Sequence, residues 1–145
     1  MKIQFANVEV VNPLRHRRKV KEFLGILANG EGSSIVSLQY VFCGDDYMLE
    51  INRQFLGHDT FTDIITFDLG DAGSAGIEGE IYISVERVKE NAAQFGVSIQ
   101  QEMLRVIFHG LLHLLGYKDK TKAQVDEMRS KEDEYLKKFN SWVKG

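Results

Sequence analysis

The amino-acid sequence predicts a single α+β domain in which a four-stranded mixed sheet packs against about five helices. Three observations support this fold class. The chain has 145 residues, enough for one hydrophobic core but too few for two. Segments that alternate like strands fall in the first half, and the second half is mostly helical in pattern. One helical segment separates the first two strands, as in a crossover connection. We therefore treat residues 1–145 as one domain.

The first two strands and the helix between them have clear local signals. Residues 2–10 alternate with a period of two, which predicts a strand. A helix is predicted next, with Asn12 as its N-cap, Pro13 at its first helical position and Gly30 as its stop. Residues 34–42 are rich in β-branched and aromatic side chains, which predicts the second strand.

The middle of the chain predicts a short helix and two further strands. Residues 44–56 open on aspartates that suit a helix N-terminus. Residues 62–69 and 79–85 are predicted to be the third and fourth strands, separated by a glycine-rich loop. Residues 85–96 are predicted to form a helix, the first one in the mostly helical second half of the chain.

Two further helices complete the prediction. Residues 98–116 form the first, with Ser98 and Gln101 as a capping box, and its nearly continuous apolar surface predicts a buried central helix. Thr121 and Gln124 are predicted to cap the last helix. Its apolar stripe comprises Val125, Met128, Tyr135, Leu136, Phe139 and Trp142.

Composition and charge argue against several classes of function. Cys43 is the only cysteine, so the chain has neither a disulfide framework nor a cluster of thiolate metal ligands. No apolar run reaches the length of a membrane span, and the first residues do not resemble a signal peptide, so we expect a cytoplasmic protein without a membrane partner. The formal net charge of −3 means that nucleic-acid binding would need a local basic patch. No glycine-rich phosphate loop or nucleophile elbow is present, so neither a nucleotide cofactor nor serine-triad chemistry is predicted.

The segment HGLLHLLGYKD, residues 109–119, carries most of the chemical information. His109 and His113 are four residues apart, so on a helix they share one face with Cβ atoms about 5–6 Å apart. Two imidazoles at this spacing can bind one metal ion. Gly116 is placed to end the helix in a left-handed conformation, after which the chain can bring Asp119 back beside the histidines. This H-x-x-x-H-x-x-G-x-x-D layout follows the metzincin arrangement of a catalytic zinc site.

A purely structural role for the two histidines is the alternative interpretation. Imidazoles in an apolar helix need partners, because an unpaired buried polar group costs about 1–3 kcal/mol, and a metal ion would provide one for each. We therefore favour the metal interpretation. Gly110 departs from the metzincin pattern, since it stands where those enzymes place the glutamate that acts as general base. The site is predicted to be hydrolytic but not proteolytic.

The segment HGLLHLLGY resembles the signature of the YbeY family, bacterial endoribonucleases implicated in ribosomal RNA maturation and ribosome quality control. Two other segments agree with this resemblance. LEINRQFLGHDTFTDIITFDL is similar to the family segment that joins an asparagine to a T-D/N-hydrophobic-hydrophobic-S/T-F strand, and GEIYIS is similar to its G-D/E-I-x-I-S strand. Order and spacing match from about Leu49 to Asp119.

The resemblance implies roles for individual residues. His109 and His113 match the first two zinc ligands of the family, and Asp119 occupies the place of a third ligand that is usually a histidine. A carboxylate is also an acceptable zinc ligand. Leu56 stands where many members carry an arginine thought to be important for activity, and it cannot bind a phosphate. We consider His58, or a basic residue from elsewhere in the chain, as a substitute for this arginine.

Two groups outside the motif have both a structural and a functional interpretation. Arg15, Arg17 and Arg18 belong to a basic cluster that is either a solvated helix face or a contact for the phosphates of RNA. Asp59 and Asp63 flank the turn into the third strand, where they either cap the turn or act as acids that orient a ligand histidine.

The motif predicts a hydrolytic metal site. The resemblance to the YbeY family implies that this is a single-strand-specific, zinc-dependent endoribonuclease in ribosomal RNA maturation, at the 3′ end of the small-subunit RNA, and in ribosome quality control. One Zn²⁺ per chain, held by His109, His113 and Asp119, is the expected cofactor, and ribosomal RNA or the small ribosomal subunit is the expected partner. Two alternatives remain. One is a metal-dependent hydrolase of another substrate such as a peptide, and the other is a non-catalytic, zinc-stabilised ribosome-assembly factor.

Overall fold

Four strands form one mixed sheet in the structure, a computed structural model that describes residues 1–58, 62–71 and 75–145. The strands are β1 (Lys2–Asn7), β2 (Ile35–Cys43), β3 (Ile64–Asp68) and β4 (Ile77–Ser84). Their order in the sheet is β1-β2-β4-β3. β1 and β4 both run parallel to β2, and β3 runs antiparallel to β4. The predicted four-stranded mixed sheet is therefore confirmed, with β3 at one edge.

Among the described residues, five α-helices pack around this sheet, as predicted. They are α1 (Arg17–Gly30), α2 (Asp45–Ile51), α3 (Val85–Phe95), α4 (Ile99–Leu114) and α5 (Lys122–Lys144). The single helix expected over residues 44–56 is divided, because α2 continues as a π-helical turn over Asn52–Leu56. Within the part of the chain that the structure describes, no helix is both long and apolar enough to cross a membrane.

The two faces of the sheet are covered very unequally. One face carries the main core, where α1, α4 and α5 bury large side chains that include Tyr40, Phe42 and Phe108. The opposite face carries a small cluster around Cys43 and Ile65, beneath α2. In α5 the predicted stripe is buried or partly buried, with the exception of Val125, which lies in the first turn and is 42% exposed.

The start of α1 differs from the prediction. Asn12 is not its N-cap, because its Oδ1 accepts a hydrogen bond from the N–H of Leu14, two residues away, and forms a local turn. Leu14 is buried, and Gln100 of α4 hydrogen-bonds to the backbone of Pro13 and Arg15. These long-range contacts hold the segment outside the helix, which begins only at Arg17.

α4 can pack closely against the sheet because glycines, which have no side chain, stand at the points of contact. A Cβ atom at Gly110 would lie 2.8 Å from Cδ1 and 3.0 Å from Cγ2 of Ile81, and 3.1 Å from Cδ1 of Ile64. A Cβ atom at Gly79 of β4 would lie 2.6 Å from Cδ1 of Leu114. The C-terminal half of α4 therefore lies directly on β3 and β4, and this contact places the two histidines beside the edge strand.

Candidate metal centre

The two motif histidines and Asp119 line one cavity of about 430 Å³ beside β3. His109 and His113 lie on the last turns of α4, and Asp119 lies in the segment between α4 and α5. The other described residues around the cavity come from the π-helical turn, the approach to β3 and β3 itself. They are Asn52, Leu56, His58, Thr62, Ile64, Ile65 and Thr66.

His109 and Asp119 face each other. Nε2 of His109 lies 3.4 Å from Oδ2 of Asp119. Ligands about 2.0–2.1 Å from a tetrahedral zinc ion are separated from one another by about 3.3 Å, so this pair has the spacing of two ligands of one ion. The bend that brings Asp119 back begins at Gly116, whose φ of +111° favours glycine.

The orientation of His109 is fixed by a buried carboxylate. Nδ1 of His109 donates to Oε2 of Glu132 in α5 at 2.7 Å, and Glu132 is only 4% exposed. The other oxygen of Glu132 accepts from Arg105 at 3.0 Å. A proton on Nδ1 leaves the lone pair of a neutral ring on Nε2, toward Asp119. Metal-binding histidines usually have such a partner on the second nitrogen.

The charges around His109 favour its protonated form when no metal is bound. Burial lowers the pKa of His109, but the hydrogen bond and charge of Glu132, together with the charges of Asp119 and Asp63, outweigh burial and raise the pKa above its ordinary value. Because a metal ion and a proton compete for Nε2, metal binding at His109 should weaken as the pH falls.

Glu132 is a residue of the site that was not predicted from the sequence. The sequence does contain a signal for Glu132. It is an acidic residue within the apolar stripe of the last helix, four residues after Met128 and four before Leu136. A carboxylate in a buried stripe indicates a buried cationic or imidazole partner.

The three predicted ligands are brought to one cavity but do not form a closed cluster. In residues 1–58, 62–71 and 75–145, no group of three or more His, Cys, Asp or Glu side chains is arranged to hold a metal ion. His113 is exposed at the rim of the cavity, whereas His109 is partly buried. The donor types nevertheless fit zinc, since they are two imidazoles and a carboxylate, with one imidazole already oriented.

A second cavity of about 380 Å³ shares His109 and Asp119 with the first. Asp63 lies here and accepts a hydrogen bond from Asn91, at 3.3 Å. Burial raises the pKa of Asp63. The carboxylate that hydrogen-bonds to Nδ1 of the candidate ligand His109 is that of Glu132. Asp59, the other acid considered for this role, lies outside the described residues.

Leu56 and His58 both lie at the first cavity. Leu56 ends the π-helical turn and is 44% exposed. The N–H of His58 donates to the carbonyl of Asn52 at 3.1 Å, which closes the turn and places His58 on the cavity wall. The position where the resemblance expects an arginine is therefore part of the candidate site.

Arg15, Arg17 and Arg18 are exposed at the opposite end of α4 from the histidines. Arg15 contacts Gln100, which precedes His109 and His113 by about 14 and 20 Å along the helix axis. The guanidinium group of Arg17 donates to the carbonyls of Leu14 and Asn12, so this side chain partly serves to hold the preceding segment.

Comparisons with known proteins agree on one family. The family model for "Endoribonuclease YbeY" matches residues 2–140. A protein from Cytophaga hutchinsonii named Endoribonuclease YbeY is 49% identical over 123 residues, which cover 85% of each chain. Another with this name, from Flavobacterium psychrophilum, is 47% identical over 136 residues, which cover 92% of this chain and 94% of the relative.

A solved structure also matches along nearly the whole chain. The solution structure of TM1509 from Thermotoga maritima has a TM-score of 0.66 and 28% sequence identity, and the match covers 98% of this chain and 92% of that one. These matches lead to one conclusion: the chain belongs to the YbeY family.

Proposed function

We propose that this protein is a zinc-dependent endoribonuclease that cleaves single-stranded RNA during ribosomal RNA maturation. The observation that carries the proposal is the pairing of His109 with Asp119 at 3.4 Å, on a ring oriented by Glu132, in a chain of the YbeY family. The relatives named Endoribonuclease YbeY support RNA as the substrate.

In this proposal one Zn²⁺ is held by His109, His113 and Asp119. When bound, it would polarise a phosphodiester oxygen or lower the pKa of a water molecule at an open coordination position. Glu132 keeps the proton of His109 on Nδ1, so that Nε2 is the atom available to the metal. Glu132 also accepts a hydrogen bond from Arg105, so both of its oxygens are already bonded, one to Arg105 and one to His109.

We assign proton transfer to His58. Among the described residues that line the 430 Å³ cavity, it is the titratable side chain that remains once the three candidate ligands are set aside. An imidazole can act as a general acid or base, and its cation also attracts a phosphate. His58 would thereby replace part of the function of the arginine that this chain lacks at Leu56.

The wider biological role is part of the same proposal. The substrate would be the 3′ end of small-subunit ribosomal RNA in the cytoplasm, and the activity would also serve ribosome quality control. A strand that enters the cavity and reaches Arg15, which contacts Gln100, must extend about 14–20 Å along α4, and Arg18 lies three residues further along the chain. Both arginines are exposed and would contact its phosphates.

The test is an assay of the zinc-loaded protein on single-stranded RNA, the same RNA in a duplex, and casein. We expect cleavage of the single strand and at least about a hundredfold loss in His113→Ala, since a lost ligand leaves zinc weakly held. Zinc analysis should give one equivalent in the parent protein and less in the variant. Parent protein that holds zinc but leaves the single strand intact would contradict the endoribonuclease proposal.

One observation favours a second function, a ribosome-assembly factor in which zinc only stabilises the fold. Leu56 places an apolar side chain in the cavity where a phosphate-binding group is expected. This alternative predicts that His113→Ala lowers the melting temperature of the zinc-loaded protein and that no RNA cleavage exists to be lost. Peptide hydrolysis is disfavoured, because Gly110 has no carboxylate and Ile81 occupies the space that one would need.

A further inference from the structure

A second carboxylate, Glu31, holds the segment that carries Asp119. Glu31 follows the last residue of α1, and its backbone N–H donates to the carbonyls of Leu27 and Ala28. Its side chain is 13% exposed and lies between α1 and α5. Three groups donate hydrogen bonds to it: the hydroxyl of Tyr117 at 2.6 Å, the hydroxyl of Tyr135, and Nζ of Lys131 at 3.3 Å.

These contacts are strong ones. A hydroxyl that donates to a carboxylate makes a charge-assisted hydrogen bond, about twice as strong as a neutral one. Burial raises the pKa of Glu31, but the hydrogen bonds from Tyr117, Tyr135 and Lys131 and the charge of Lys131 outweigh burial, and the pKa lies below its ordinary value. The carboxylate is therefore ionised and occupied at neutral pH.

The segment from Tyr117 to Thr121 is held at its two ends. At the first end, the N–H of Tyr117 donates to the carbonyl of Leu112 at 3.1 Å, and its hydroxyl reaches Glu31. At the other end, the N–H groups of Lys120 and Thr121 donate to Gln124 at 3.1 and 3.2 Å. Asp119 lies between these anchors, and its side chain is 44% exposed.

We propose that Glu31 is a positioning residue for the candidate metal ligand Asp119 and acts through the hydroxyl of Tyr117. It fixes the start of the segment so that the carboxylate of Asp119 faces Nε2 of His109. This inference rests on the proposed metal centre. Its structural alternative is that Glu31 only joins α1 to α5 and has no influence on Asp119.

Tyr135 provides a matched control for Tyr117. Both hydroxyls donate to Glu31, and Nζ of Lys131 lies about equally far from both rings, at 5.9 and 6.0 Å. Tyr135 belongs to α5, however, whereas Tyr117 belongs to the segment that carries Asp119. Tyr117→Phe and Tyr135→Phe therefore each remove one hydroxyl from the same carboxylate, but only the first releases the segment.

The experiment compares the parent protein with both variants by titration with Co²⁺, whose absorption spectrum reports the ligands. Outer-shell partners typically contribute 10–100-fold to metal affinity, so we expect Tyr117→Phe to bind Co²⁺ about tenfold more weakly with an altered spectrum. Tyr135→Phe should bind within about twofold of the parent. Glu31→Ala should weaken binding at least as much as Tyr117→Phe, and Glu31→Gln, which retains an acceptor oxygen, should restore part of the affinity.

Amide hydrogen exchange in the metal-free proteins gives a readout that does not depend on the metal centre. Exchange at Lys118–Lys120 should be faster in Tyr117→Phe and unchanged in Tyr135→Phe. Equal exchange in the two variants, or equal Co²⁺ affinity, would overturn the role of Glu31 while leaving the proposed function intact. A parent protein that binds no Co²⁺ would instead refute the metal centre, and the role of Glu31 as a positioning residue for a ligand with it.

Discussion

His109 and Asp119 face each other across 3.4 Å, but they are held in very different ways. His109 lies on a helix packed against the sheet, and its ring is bound to a buried carboxylate that also binds Arg105. Asp119 lies on an exposed segment that is fixed by hydrogen bonds at its ends. One half of the candidate site is therefore part of the core, and the other half is a positioned loop.

This difference predicts how each half should respond to mutation. Changes around His109 should lower the stability of the whole fold, because they affect buried contacts. Changes around Asp119 should affect metal binding more than stability, because the segment is exposed and contributes few buried contacts.

The largest effect is expected for Gly110→Glu, which introduces the metzincin residue. The new side chain would overlap with Ile81 and bury a carboxylate, so we expect the free energy of unfolding to fall by about 4 kcal/mol. Urea denaturation measures this, and Gly110→Ala is the milder control. A Gly110→Glu protein as stable as the parent would show that α4 does not rest on the sheet here.

Glu132→Ala is expected to cause the next largest loss of stability. It leaves Arg105 and His109 without their shared buried partner, and breaking a buried ion pair costs about 3–5 kcal/mol. Because Arg105 keeps Asp133 at 3.0 Å, we expect a loss near the lower end, about 3 kcal/mol, together with weaker metal binding. A loss below about 1 kcal/mol in urea denaturation would mean that the two halves of the site are held alike.

Gln124→Ala moves the test to the other half, because the side chain of Gln124 accepts the hydrogen bonds from the N–H groups of Lys120 and Thr121 that anchor the Asp119 segment. Thr121 and Gln124 form a complete capping box at the start of α5, as the sequence predicted. Loss of the Gln124 half of this box should cost no more than loss of the cap residue itself, about 1 kcal/mol. Calorimetric unfolding should show this smaller loss, whereas Co²⁺ affinity should fall clearly, since the cap also anchors the end of the Asp119 segment. Unchanged Co²⁺ affinity would mean that the contacts of Tyr117 alone hold the Asp119 segment in place.

A smaller loss of stability, due to Glu31, is expected at acidic pH. The folded-state pKa of Glu31 is depressed, so its contribution is present above its unfolded pKa and is lost as the pH falls through the lower folded value. As the pH falls below the ordinary pKa of a glutamate, the parent should lose more stability than Glu31→Gln, which has no charge to lose. Parallel stability curves for the two proteins would contradict this contribution of the ionised carboxylate.

Asp119→Asn should affect stability least. The side chain is half-exposed, and surface substitutions usually change stability by less than about 0.5 kcal/mol. Zinc content should nevertheless drop, because an amide is a poor replacement for a carboxylate ligand. If zinc content stays at the level of the parent, Asp119 is not a ligand.

The sequence predicted the features that depend on neighbouring residues. The pairing of His109 with His113 follows from helical spacing, and the bend at Gly116 follows from glycine's conformational freedom. Both histidines and Asp119 line one cavity in the structure, although their binding of a metal remains a prediction.

The features that the sequence did not predict depend on distant residues. Glu132 contacts a histidine 23 positions earlier, and Glu31 contacts a tyrosine 86 positions later. The start of α1 was predicted too early because Gln100, from another helix, holds the residues before Arg17 outside it. A pattern within one segment cannot indicate which distant segment will pack against it.

The placement of α5 has a consequence for how the protein is made. One turn of this helix carries both Glu132, which contacts His109, and Lys131, which contacts Glu31. A nascent chain leaves the ribosome from its N-terminus, so every proposed zinc ligand emerges before the helix that organises them. A product of interrupted translation that stops after Asp119 would contain all three proposed donors but would lack Glu132, the buried partner that orients His109.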